Sequence, residues 1–292
     1  MTSNVPGHVV PNSSGTARPG TAAPANAADC HMHIYDARAP QLASRSPVAN
    51  AGVPEYRLLQ KRIGTTRVVV VQPRNHATDN QVTLDAVAQL GAGARGIAVL
   101  HPTVSDAELK RLDAGGIRGI RFSLGDPATA VVTIDMVEPL ARRIAPLGWH
   151  VQLHLPGDMI AENAELLRRL PIPIVIDHMG RLPPAAGLAH PAYKIILSLI
   201  EKGRTWIKLA GAYFNSQIGP PSYADSARIA QAFVRAAPER LVWGSDWPHP
   251  SEKEKPDDAR LFDLLAEWAV DEKTRNRILV TNPETLYGFS AR

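Results

Sequence analysis

From Ala28 onward the chain alternates between two apolar patterns. Short runs rich in β-branched residues recur at Asp29–Tyr35, Arg67–Gln72, Arg95–Leu100, Ile117–Phe122, Trp149–Leu153, Ile172–Asp177, Thr205–Leu209 and Leu241–Gly244. Some are apolar at every position, as in Val68-Val69-Val70-Val71 and Ile174-Val175-Ile176, the mark of strands buried on both faces. Longer segments of helical spacing lie between them: Asp79–Leu90, Asp106–Asp113, Ile134–Ala145, Asp158–Leu170, Tyr193–Lys202, Tyr223–Ala236 and Ala259–Trp268. Ser105 and Ser222 stand where helix caps belong, and Glu108 completes a capping box after Ser105. Strands that alternate with helices in this way predict an α/β fold, a single (β/α)8 TIM barrel over residues 28–292. An open doubly wound sheet is the runner-up, disfavoured because no G-x-G-x-x-G follows the first strand.

Residues 1–27 are rich in Pro, Gly, Ser, Thr and Ala and lack the basic start and apolar run of a secretory signal. They read as a flexible tail. The composition, 45% hydrophobic and 21% charged, describes a globular chain able to bury a large core. A single cysteine, Cys30, excludes a disulfide framework and a thiolate metal cluster. The net charge of +4 is spread over single or paired basic residues with no run of five, which argues against a nucleic-acid partner. No apolar stretch reaches the roughly 18 residues of a membrane span, so the expectation is a soluble, cytoplasmic protein without a membrane partner.

The candidate chemistry lies at the carboxyl ends of the strands, where barrel enzymes build their sites. His31 and His33 end the first strand, Gln72 with Asn75 and His76 the second, His101 the third, Arg121 and Ser123 the fourth, and His154 the fifth. Asp177, His178 and Arg181 follow the sixth, Lys208 the seventh, and Ser245, Asp246, Trp247 and His249 the eighth. Burying so many chargeable groups without function would cost several kcal/mol each unless they were paired. At a strand's period of two, His31 and His33 face the same side. With His154, His178 and Asp246 they form a donor set that one Zn²⁺ or Mn²⁺ ion could use.

Longer runs carry a family resemblance: Asp29-Cys-His-Met-His33, Thr78-Asp-Asn80, Arg95-Gly-Ile-Ala98, Gly119-Ile-Arg-Phe122, Pro173 to Arg181, Trp243 to Pro250, and Thr281-Asn-Pro283. They resemble the amidohydrolase superfamily, and within it the branch of the 2-pyrone-4,6-dicarboxylate lactonases. In that branch the chain is most similar to members that isomerise the lactone of a six-carbon sugar diacid. The resemblance implies a small anionic lactone as partner and a metal-free site, with one divalent ion on His31, His33, His154 and Asp246 as the alternative. Strand four offers Arg121 where many two-metal members carry a carboxylated lysine. The resembling lactonases have a tyrosine where His154 stands and further arginines after strands four and seven. The stretches here, Leu124–Val131 and Ala210–Gln217, contain none. Tyr213, Asn215, Ser216 and Gln217 stand there instead and suit hydroxyl groups.

Opening or migrating a lactone requires polarising the carbonyl, taking a proton from the attacking oxygen and protonating the leaving one. The expected catalytic residues are Asp246 as proton carrier with His31, His33 and His178. The expected substrate-binding residues are Arg121, His154, Arg181, Lys208, Asn75, Ser123 and Asn215. Arg121 and Arg181 suit a carboxylate through bidentate contacts. The resemblance implies an isomerase converting D-galactaro-1,5-lactone to the 1,4-lactone by intramolecular acyl transfer. The alternatives are a lactone hydrolase, a mononuclear metal-dependent amidohydrolase or decarboxylase, and a binding protein without turnover.

Overall fold

The computed structural model describes residues 9–43, 48, 50–126 and 129–290. Among these residues, eight strands form one parallel sheet in sequence order: β1 (Ala28–Met32), β2 (Arg67–Val71), β3 (Ala94–Ala98), β4 (Ile117–Ser123), β5 (His150–His154), β6 (Ile174–Ile176), β7 (Thr205–Leu209) and β8 (Leu241–Trp243). Around them run α1 (Val53–Ile63), α2 (Gln81–Leu90), α3 (Asp106–Ala114), α4 (Val137–Ile144), α5 (Gly157–Glu162), α6 (Ala164–Arg169), α7 (Pro191–Glu201), α8 (Ala224–Ala236), α9 (Asp258–Trp268), α10 (Glu272–Asn276) and α11 (Asn282–Tyr287). The architecture is the expected (β/α)8 barrel.

The doubly apolar strands divide their side chains between two cores. Val68, Val70, Ile174 and Ile176 join the large layer between sheet and helices. Val69, Val71 and Val175 point the other way and pack inside the barrel with Ala28, Cys30, Ile97 and Val242, as alternation along a strand requires. Tyr287 and Phe289, from the chain's end, join this inner cluster.

Where β8 returns to β1, Gly244 meets His31 so closely that an added Cβ would stand 2.5 Å from His31 Cβ. Beyond it, Asp246 N donates to the His31 carbonyl at 2.7 Å and His33 N donates to the Trp247 carbonyl at 2.8 Å. The seam is therefore tied by the backbone of the residues that carry the candidate chemistry.

Some local expectations change. Val53–Ile63 forms a helix that was not anticipated, burying Val53, Tyr56, Leu59 and Ile63. The helix expected over Asp158–Leu170 is two, divided at Asn163. Ser105 caps α3 by accepting from Glu108 N, whereas Tyr223 takes the cap position of α8, without a side-chain bond, in place of Ser222. Residues 9–27, expected as a flexible tail, pack against the barrel: Val10 is buried, and Gly20 and Thr21 donate to Asp263. The buried Arg62 binds Ser13, Ser14 and Ala17; a charged group withdrawn from water needs such partners. No helix among the described residues is long and apolar enough to cross a membrane.

Candidate active site

The carboxyl ends of the strands bring three imidazoles around one carboxylate. His31 Nε2 and His33 Nε2 each lie 3.4 Å from Asp246 Oδ1. His33 Nδ1 is 2.8 Å from the Val71 carbonyl, so Nδ1 carries the ring proton and Nε2 faces Asp246. His178 is held in the same way, with Nδ1 at 3.1 Å from the Ala210 carbonyl. Among the described residues, the buried His31 Nε2 has no hydrogen-bond partner. Asp246 has a positive φ of 64°, an uncommon conformation for a residue with a side chain. Burial alone would raise its carboxyl, but His178, His33 and His31 outweigh it and hold Asp246 well below the usual carboxylate range.

Asp177 centres a second layer. Its carboxylate accepts from Arg121 Nε at 3.1 Å and Gln152 Nε2 at 3.0 Å, and lies 3.3 Å from His31 Nδ1. Burial opposes its charge, but His31, Arg121 and Lys208 prevail and keep it ionised. His154 is enclosed by donors: Ser123 Oγ and an Arg121 nitrogen approach Nδ1 at 2.9 and 3.3 Å, and an Arg181 nitrogen approaches Nε2 at 3.3 Å. Burial and then the Arg121 charge push its pKa well down, so the ring is neutral.

These groups open onto a cavity of about 600 Å³ lined by His33, Asn75, Arg121, His154, His178, Arg181 and Asp246 among the expected residues. His31, Ser123, Lys208 and Asn215 stand behind it. Lys208, expected to bind substrate, is fully buried and donates to the Cys30 carbonyl and to Gln152 Oε1, both at 2.7 Å. Burial lowers its pKa to about 8. Asn215 donates to the His178 carbonyl at 2.9 Å and so positions that histidine. Ser123 reaches the cavity only through His154. Ser216 and Gln217 bind Asp225 instead of facing a substrate. His154 leaves the proposed ligand set because arginines cover both of its nitrogens. The ligand atoms that do converge, within 4.8 Å of one another, belong to His31, His33 and Asp246, or to His31, Asp177 and His178.

Arg74, outside the set of residues expected from the sequence, also lines the cavity. It follows β2 beside Asn75, and its guanidinium donates to Thr129 Oγ1 at 2.6 Å. Three guanidinium groups, Arg74, Arg121 and Arg181, thus line one cavity, an arrangement suited to an anion with more than one acceptor group.

Comparison with known proteins agrees with this architecture. The amidohydrolase family profile matches residues 28–289. The D-galactarolactone isomerase of Agrobacterium fabrum is 34% identical over 283 residues, 95% of this chain and 96% of that protein. The 4-sulfomuconolactone hydrolase of Rhizobium radiobacter is 35% identical over 274 residues, 91% of each chain. A solved apo structure from Agrobacterium tumefaciens superposes with a TM-score of 0.87 at 33% identity, covering 94% of this chain and all of that one.

Proposed function

The chain belongs to the amidohydrolase family, and from that premise we propose that it is an enzyme for a carboxylate-bearing lactone, moving the acyl group of D-galactaro-1,5-lactone onto another hydroxyl of the same molecule to give the 1,4-lactone. The observation that carries this reading is a single cavity that pairs an ionised proton acceptor, Asp246, with the guanidinium groups of Arg121 and Arg181. One arginine clamps the free carboxylate while the other, with His178, faces the carbonyl oxygen.

A hydroxyl of the substrate attacks the lactone carbonyl carbon and its proton passes to Asp246. The oxyanion that forms is held by the cationic wall. As the intermediate collapses, Asp246 returns the same proton to the departing ring oxygen. The low pKa of Asp246 makes it a weak base and a ready donor, which suits a proton borrowed for one step. Attack from within the molecule has the advantage of proximity and needs no activated water. Similarity to an isomerase over 95% of this chain supports this choice.

The same groups would serve hydrolysis with water as the attacker, and the 35% identity to a lactone hydrolase favours that second reading. Proton NMR of D-galactaro-1,5-lactone incubated with the protein separates the two. A 1,4-lactone that forms faster than the open diacid supports isomerisation; open diacid alone overturns it.

His31, His33 and Asp246 fit one divalent ion, since their ligand atoms converge and, among the described residues, His31 Nε2 has no hydrogen-bond partner. Such an ion would polarise the lactone carbonyl. We assign that task to the arginines, which already place positive charge at the cavity and would repel a dication beside them.

A further inference from the structure

Behind Asp246, away from the lactone cavity, three side chains form a file that the chemistry above does not use. Tyr213 Oη donates to Asp246 Oδ2 at 2.5 Å and lies 3.0 Å from His249 Nδ1. His249 Nε2 in turn lies 3.2 Å from both carboxylate oxygens of Asp258. None of the three lines the cavity, and His249 and Asp258 are fully buried. The phenol has one proton and gives it to Asp246, so in the contact with His249 the ring nitrogen is the donor. The other nitrogen faces a carboxylate, which can only accept, and it donates there.

We propose that Tyr213, His249 and Asp258 are positioning residues, a file of hydrogen bonds, half-buried at Tyr213 and buried at His249 and Asp258, that fixes the plane of the Asp246 carboxylate. By occupying Oδ2, the file leaves Oδ1 aimed at His31, His33 and the reacting hydroxyl. The backbone gives a reason for the device. Asp246 and His249 both have positive φ, 64° and 54°, so the loop between them holds two conformations that residues with side chains seldom adopt. Side-chain bonds from α9 and from the turn after β7 supply the restraint.

The inference rests on the lactone reading, and its test separates the two. Tyr213→Phe keeps the ring and removes the donor; kcat is expected to fall about 10- to 100-fold, as when other supporting hydrogen bonds are removed, with KM unchanged. His249→Ala should lower kcat similarly, and His249→Gln, which restores an N–H donor, should recover much of it. In a Tyr213→Phe background, His249→Ala should cost less than about twofold more, since it acts only through the missing phenol. Effects that multiply, or that fall on KM, would overturn the proposal. If His249→Ala does not fold, Asp258→Asn takes its place in the cycle. If no lactone is turned over, the functional reading fails on its own and proton NMR decides the file. A downfield imidazole N–H signal lost in His249→Gln should shift in Tyr213→Phe; a signal indifferent to Tyr213 sinks the proposal.

Discussion

Two aspartates flank the seam between β1 and β8, both buried, and their surroundings give them opposite characters. Among the described residues, Asp29 accepts only from neutral donors: Ser245 N and Oγ, His31 N and the Tyr56 hydroxyl. Burial dominates there, and although each hydrogen bond opposes it, the carboxyl is pushed up to about 6. Asp246 sits among His178, His33 and His31, which overcome burial and hold it ionised. Burial of a carboxylate is therefore a poor sign of catalysis. What sets Asp246 apart, and supports its proposed role, is the group of three imidazoles around it and its place in the wall of the cavity.

The sharpest way to break this comparison is to neutralise each carboxylate in turn. Asp246→Asn should lower kcat/KM by about a thousandfold or more, the scale of losing a proton carrier, while circular dichroism shows the fold retained. A variant within tenfold of the parent would remove Asp246 from the chemistry.

Asp29→Asn should act on stability and its pH dependence. Because the folded carboxyl titrates near 6 rather than 3.8, the folded state binds the proton more tightly. The contribution of Asp29 is fully present below pH 3.8 and is lost as pH rises through about 6, a swing of about 3 kcal/mol. Urea unfolding between pH 4 and 7 should show the parent losing stability relative to Asp29→Asn as pH rises; parallel curves would contradict this. Asp246 has the opposite sign, since a depressed pKa contributes stability that is lost as pH falls. The smallest effect should come from exhaustive chelation, after which turnover is expected to stay within about twofold if the guanidinium groups polarise the carbonyl. Loss restored by Zn²⁺ or Mn²⁺ would move that task to an ion on His31, His33 and Asp246.

The barrel was legible because its strands are buried on both faces, so each writes an unbroken apolar run. Helix α1 escaped because Pro54, Glu55, Arg57 and Lys61 interrupt its run and leave only Val53, Tyr56, Leu59 and Ile63 to mark the buried face. At the mouth, the position of a residue in the strand showed which groups gather there but not which way they turn. His154 is the last residue of β5 and opens into the site, whereas Lys208, one residue before the end of β7, points under it. Arg74 lies in a short turn beyond β2, where no strand periodicity applies. The Tyr213, His249 and Asp258 file was the least readable: in sequence Asp258 is an ordinary first-turn acid of α9, and only the fold sets it against His249.

The segment before β1 also holds the loop that follows β8. Trp247 Nε1 donates to the Pro11 carbonyl, Ser14 N donates to the Pro256 carbonyl, and Asp258 N donates to Ser13 Oγ. The family profile begins at residue 28, so these contacts lie outside what the relatives must share to be recognised. Substitutions in a stretch without regular secondary structure could thus stiffen or loosen the loop that carries Asp246 while leaving every cavity residue intact. For a lineage changing one lactone for another, that is a dial on rate that evolution can turn separately from specificity.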